Sequence, residues 1–326
     1  MVAETIVREL SEADLPALVR IHNAINPDVP TTVDEVRHEI SRIDRRRYIS
    51  EWMVATTTGG DEVVAYGGYR HVPWAHHPEK FFSFVNVHPD HQGRGIGSRL
   101  MDEILSAVMA HGGRRLKAWT REDRSRAVAF LQRYEFVEQA REFESRLDVA
   151  GVNLDRFRDY QERAARLGVT ITTLQEELRR DTNCLEAVYQ AHCVLDMGVP
   201  GDDPEPPTPP TQEEFLAQEV RHPRVLPDAF FLAKMGDLYV GESALKRSDG
   251  DPGLLHQQLT AVLPAYRGQG IAVALKAATI AYAQERGYRV IRTFNSSHNE
   301  AMLAINAKFG FVRMPAWVTF TKRLEG

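Results

Sequence analysis

His256-Gln257-Gln258-Leu259-Thr260-Ala261-Val262, Leu263-Pro264-Ala265-Tyr266 and Arg267-Gly268-Gln269-Gly270-Ile271-Ala272 follow one another as a strand, a short connection and a glycine turn that opens a helix. The same design occurs earlier, from Phe81-Phe82-Ser83-Phe84-Val85-Asn86-Val87 through His88-Pro89-Asp90-His91 into Gln92-Gly93-Arg94-Gly95-Ile96-Gly97. Glycines at such a turn let successive backbone N–H groups point into one space at a helix start, where the dipole favours negative charge. A diphosphate fits that arrangement. A tight turn with no ligand would explain one copy; two copies in the same context argue for a shared purpose.

Both stretches carry Gln/Arg-x-x-Gly-x-Gly/Ala after a Val-ended strand, and in this they resemble the acyl-coenzyme A signature of the GCN5-related N-acetyltransferase (GNAT) superfamily. The two turns lie 175 positions apart (270 minus 95), and the elements around them recur at similar offsets. That is duplication of a whole domain, not a short-period array. The resemblance therefore implies an α/β fold with α+β mixed sheets, as two tandem GNAT domains over residues 1–150 and 151–326.

Composition agrees with two globular domains: 326 residues, 43% hydrophobic and 26% charged. A formal net charge of -5 argues against a general nucleic-acid binder, and Arg45-Arg46-Arg47 is too short a basic run to reverse that. The two cysteines, Cys184 and Cys193, are nine apart in an expected helix and point to nearly opposite faces, which fits neither a disulfide framework nor a metal site. The first residues, Met1 to Thr5, lack a leader pattern, and no apolar run reaches membrane-spanning length, so the expectation is a cytoplasmic protein.

In chain order the pattern predicts a strand at Ile6–Leu10, helices after Ser11 and over Thr32–Arg42, and strands near Trp52 and Val63 joined by a Gly59-Gly60-Asp61 turn. After the first glycine turn come a helix, a strand at Leu116 and a helix ending at Phe136. Two short strands near Val137 and Ser145 then close the half. A helix from Leu154 to Leu167 is expected as a bridge between halves. The second half repeats the order: a strand at Val169, one helix from Leu178 to Met197, an acidic proline loop with Asp202, Asp203 and Glu205, a hairpin, the glycine turn, and a last strand at Trp317.

The resemblance also implies chemistry. Donor sites are the amides of Gln92, Gly93, Arg94, Gly95, Ile96 and Gly97, and of Arg267, Gly268, Gln269, Gly270, Ile271 and Ala272. Val87 and Val262 fall on the strand whose backbone pairs with the pantetheine arm in relatives, and Asn299 matches a helix-start Asn that contacts that arm. Several relatives place a Glu or His base six residues before the Val; that position is His256 in the second half and Phe81 in the first. His256 is the leading base, with Glu242 on the preceding strand as competitor. The position of a thiol-protonating Tyr in relatives is Asn306 here, and Leu131 in the first half, while Glu135 replaces the Gly of a Gly-Phe pair.

Together these imply an acetyl-coenzyme A dependent N-acetyltransferase with a small-molecule amine as partner, neither nucleic acid nor membrane, chemistry in the C-terminal half, and a monomeric internal pseudo-dimer or a homodimer. A competing reading makes the first half, or the whole chain, a non-catalytic acyl-coenzyme A sensor. A third, aminoacyl-tRNA-dependent transfer, fits poorly because those relatives lack intact diphosphate turns and this chain is not basic.

Overall fold

A computed structural model describes residues 5–41, 43–57, 62–201 and 207–325. The expected turn at Gly59-Gly60-Asp61, the acidic residues Asp202, Asp203 and Glu205, and the first four residues lie outside them. The elements in order are β1 (Thr5–Glu9), α1 (Leu15–Ile25), α2 (Val33–Ser41), β2 (Ser50–Thr57), β3 (Val63–Arg70), β4 (Lys80–Val87), α3 (Ile96–Ala110), β5 (Arg115–Arg121), α4 (Ser125–Arg133) and β6 (Val137–Asp148). Then follow α5 (Arg158–Arg166), β7 (Val169–Thr173), α6 (Leu174–Arg180), α7 (Cys184–Met197), α8 (Gln212–Phe215), β8 (Val225–Met235), β9 (Leu238–Arg247), β10 (Leu254–Val262), α9 (Ile271–Glu285), β11 (Val290–Ser296), α10 (Glu300–Phe309), β12 (Val312–Arg313) and β13 (Trp317–Arg323).

The chain forms two compact units: residues 1–139 with 249–251 and 318–326, and residues 140–248 with 252–317. In the first, the strands run β1-β2-β3-β4-β5-β13; in the second, β6-β11-β10-β9-β8-β7, with β12 also on β6. The halves thus exchange their closing strands. Val318, Phe320 and Leu324 from the end of the chain pack with Phe81, Leu116, Leu131 and Phe136 in the first unit's core. Leu147 packs with Leu255, Ile280 and Ile291 in the second.

Three expectations change. The two short strands near Val137 and Ser145 are one strand of 12 residues, because nothing between them is a turn former. The helix expected over Leu178–Met197 is two, broken where the Asp181 carboxylate accepts from the Asn183 N–H in a local turn. The presumed bridge belongs to the second unit, where α5 packs on α9 and the Tyr160 ring sits beside Gly270.

In the first unit β1 to β4 pair antiparallel, as do β7 to β10, and β11 with β6, in the second; each unit also has one short parallel pairing. β4 pairs with β5 in parallel only from Lys80 to Phe82, and β10 pairs with β11 only from Leu254 to His256, the last pair being His256 with Arg292. Beyond those residues the two strands have no ladder between them. A parallel neighbour reached through a helix is what permits this: α3 and α9 each connect the two strands that diverge.

Candidate active site

The two turns are built alike. Gly95 (φ 84°) and Gly270 (φ 87°) are left-handed N-caps of α3 and α9, and neither helix has a side-chain cap. A glycine cap offers no acceptor, so the first N–H groups of each helix keep no intrahelical partner. Gln92 Nε2 donates to the Val87 carbonyl (3.0 Å), and Arg267 Nε donates to the Val262 carbonyl (2.9 Å). The first residue of each motif therefore ties the turn to the end of its strand. A Cβ on Gly93 or Gly268 would meet nothing within 4 Å, so open space lies over both turns. Free amides at a helix start, open space above them and an unpaired strand edge beside them fit the diphosphate and arm of an acyl-coenzyme A.

The second unit's sheet has two chemically different faces. Leu245 and Leu255 pack with α9 residues, whereas Ala244 packs with Val188 of α7. Glu242, Ala244 and Lys246 alternate onto the α7 face, and His256, the cross-strand partner of Lys246, joins them. Glu242 is 1% exposed; its Oε1 lies 2.9 Å from His192 Nδ1 on α7, and its Oε2 has no partner among the described residues. Burial opposes charge on His192, yet Glu242 beside it, with Glu219 and Asp196 behind, pushes its pKa up to about 9. His192 is therefore an imidazolium at neutral pH, and it leaves one Glu242 oxygen unused among the described residues.

His256 sits at the vertex where β10 leaves β11, roughly 13 Å along the sheet from Glu242 at about 3.3 Å per residue. Burial first, then the cations Arg292 and Arg224, push its pKa down to about 4, with Glu144 offsetting part of this. Glu144 is fully occupied: it accepts from Arg292 (2.7 Å), Arg146 (2.8 Å) and Trp317 Nε1 (3.1 Å). Despite its burial these partners hold it down to about 2. Glu144→Gln should lower the unfolding midpoint clearly at pH 7, because the buried Arg292 guanidinium loses its counter-charge; the loss should shrink as pH falls from 4.5 towards 2, where the wild-type carboxylate is itself protonated.

Comparing the vertices corrects one equivalence. His256 faces Arg292 as Phe82, not Phe81, faces Lys117. β10 carries one extra residue between Gln257 and Thr260, absent from β4, so counting back from the Val overshoots by one. Asn306 lies on the opposite side of the sheet from His256 and Glu242. It is 2% exposed, accepts from Lys276 Nζ (2.5 Å) and donates to Asn295 Oδ1 (2.7 Å). Asn299 is the N-cap of α10, its Oδ1 accepting from the Met302 N–H. His192 and Lys276 escaped the sequence reading. Lys276 left a trace, being the only charge in the apolar run from Ile271 to Ala283.

Among the described residues no group of three or more His, Cys, Asp or Glu could hold a metal ion, and no helix is long and apolar enough to cross a membrane. The sequence model of the Acetyltransferase (GNAT) family matches residues 15–136 and 198–311. A mycothiol acetyltransferase of Nocardioides sp. is 26% identical over 72% of this chain and 83% of its own length. One of Amycolatopsis mediterranei is 27% identical over 81% of each. In fold, the chain is similar to a tandem GNAT protein from the clavulanic acid biosynthesis pathway, with TM-score 0.75, 18% identity and 99% of both chains covered. With its two glycine turns and two matched regions, the chain belongs to the acetyltransferase (GNAT) family as a tandem member, an acetyl-CoA-dependent N-acetyltransferase.

Proposed function

We propose that the C-terminal half transfers the acetyl group to the amine of a small, cationic molecule, and that Glu242 takes the proton the amine must lose. The observation that carries this is the unpartnered Glu242 Oε2, an acceptor buried beside an acidic cluster. Acetyl-CoA supplies the activated acyl thioester. The residues from Arg267 to Ala272 hold its diphosphate, with Val262 at the strand end and Asn299 at the start of α10 next along its path. Asp196 and Glu242 draw an ammonium to the α7 face, where Glu219 is paired with Lys246, and His192 fixes the Glu242 side chain by its hydrogen bond. Glu242 Oε2 then accepts the ammonium proton, which leaves the nitrogen lone pair free to attack.

His256 is the weaker base. Burial and the arginines push its pKa down to about 4, so it is neutral through pH 5–8, and the Arg292 and Arg224 guanidinium groups beside it repel an ammonium. His256→Ala should change kcat less than about tenfold and leave the acidic limb in place. A loss of 10²–10⁴-fold, or disappearance of a limb near pH 4, would return the role to His256. The test of the whole reading is thiol release from acetyl-CoA by purified protein across cationic, neutral and anionic amines, with a mycothiol-type acceptor included because of the two relatives. Release confined to anionic amines would sink it.

For the N-terminal half a different reading is favoured: donor binding without chemistry. Tyr66 faces Asn86 as Glu242 faces Ala261, and Phe82 stands at the vertex. The 175-residue offset also sets Met101 against Lys276 and Leu131 against Asn306. The counterparts of Glu242, His256 and Asn306 there are thus Tyr66, Phe82 and Leu131.

A further inference from the structure

Lys276 is 1% exposed, in the middle of α9, with no carboxylate partner among the described residues. Its Nζ donates to Asn306 Oδ1 at 2.5 Å, touches Met302 Sδ at 3.7 Å and lies 5.1 Å from the centre of the Phe311 ring. Burying an ammonium against one amide oxygen and a thioether is costly, and an apolar side chain is compatible with the site, since Met101 is buried at the corresponding place in the first unit.

The hydrogen bonds running outward from Lys276 give the ammonium a use. An ammonium donates only, so the oxygen of Asn306 must face it and the NH₂ must face away. That NH₂ donates to Asn295 Oδ1 at 2.7 Å, so the Asn295 NH₂ must in turn face outward. Asn295 is on β11 three residues past Arg292, where the strand has left β10, and its NH₂ has no acceptor among the described residues. Two amides, each able to point either way, are thus set in one direction by the charge at their inner end.

We infer that Lys276 is a positioning residue: it fixes the polarity of the Asn306–Asn295 amide pair so that N–H donors, not oxygens, face the gap between β10 and β11 and the negative charge that grows on the acyl thioester as its C–S bond breaks. The sulfur keeps the electron pair of that bond, and the donors stabilise it without giving up a proton. This rests on the proposed chemistry of the C-terminal half. Burial alone pushes Lys276 down to about 7. The groups meeting it from α10 and beyond are Asn306, Met302 and Phe311; Gln257 of β10 and Ser243 of β9 are uncharged; Glu242 and His256 lie on the other face of the sheet; Glu300 and Lys308 are on the exposed side of α10. A neutral amine can accept as well as donate, so the polarity should be lost as pH rises through about 7.

The experiment has two arms. In protein labelled with ¹⁵N-asparagine and without acetyl-CoA, the side-chain amide signals of Asn306 and Asn295 should titrate together near pH 7, and in Lys276→Met they should not. In turnover, Lys276→Met should lower kcat by 30-fold or more, leave KM for acetyl-CoA within threefold and remove the alkaline fall in rate. The double variant Lys276→Met/Asn306→Leu, which packs as Met101 and Leu131 do, should be no slower than the single. Thiol release is followed with amine and with water as acceptor, so a wrong acceptor reading appears as failure of the amine series only. Amide signals insensitive to Lys276→Met, or a kcat within threefold of wild type in a folded variant, would overturn the inference.

Discussion

Glu242→Gln is expected to lower kcat by 10²–10⁴-fold while KM for acetyl-CoA stays within a few-fold. Glutamine keeps the volume and one oxygen for His192, so the fold is retained and only proton acceptance and charge are removed. His192 should respond as well. Its pKa of about 9 depends on the carboxylate, so in the variant burial wins and the imidazole becomes neutral near pH 7. In wild type this group favours folding below about pH 6.5 and the contribution fades as pH rises through 9; in the variant the fade should vanish. Steady-state kinetics with thiol detection and unfolding midpoints between pH 6 and 10 check both. A variant with full kcat would remove Glu242 from the chemistry.

Gly270→Asp is expected to weaken coenzyme A binding in the second unit by more than 100-fold. Three effects add. A left-handed non-glycine residue costs about 1–2 kcal/mol. The new Cβ would lie 2.7 Å from Tyr160 Cδ1, on a ring packed against the second unit's core. A carboxylate would also stand at the helix start where a dianion must sit. Gly270→Ala carries the first two effects without the charge, so the difference between the variants isolates the electrostatic part. Calorimetry with Gly95→Asp beside it counts the sites: two sites in wild type, with each variant losing its own, supports donor binding by both halves. One site untouched by Gly95→Asp would make the first turn purely structural.

The turns were legible in the sequence because their requirements are local: left-handed glycines, a strand before and a helix after. The 175-residue offset was legible for the same reason, and it placed Asn306 against Leu131 correctly. What stayed hidden depends on contacts between distant residues. His192 and Glu242 are 50 positions apart, and a histidine between Val188 and Leu195 on a buried helical face reads as core until its partner is known. The extra residue in β10 leaves no composition signal, so six positions back from the Val reaches the vertex in β10 and passes it in β4. The electrostatics of His256 come from Arg224 and Arg292, which no spacing rule brings to the vertex.

The exchanged closing strands constrain how the chain can be made. The first unit has its glycine turn and most of its strands by residue 139, but β13, with Val318, Phe320 and Leu324, is made only about 180 residues later (318 minus 139). At about 5–20 residues per second the early unit waits roughly 10–35 s with the edge of β5 bare and part of its core open. Vectorial folding, one domain finished before the next begins, is closed to this chain. A naked β5 edge during that interval is a template for any other unpaired strand, and a cut at residue 150 is expected to leave that edge open for good.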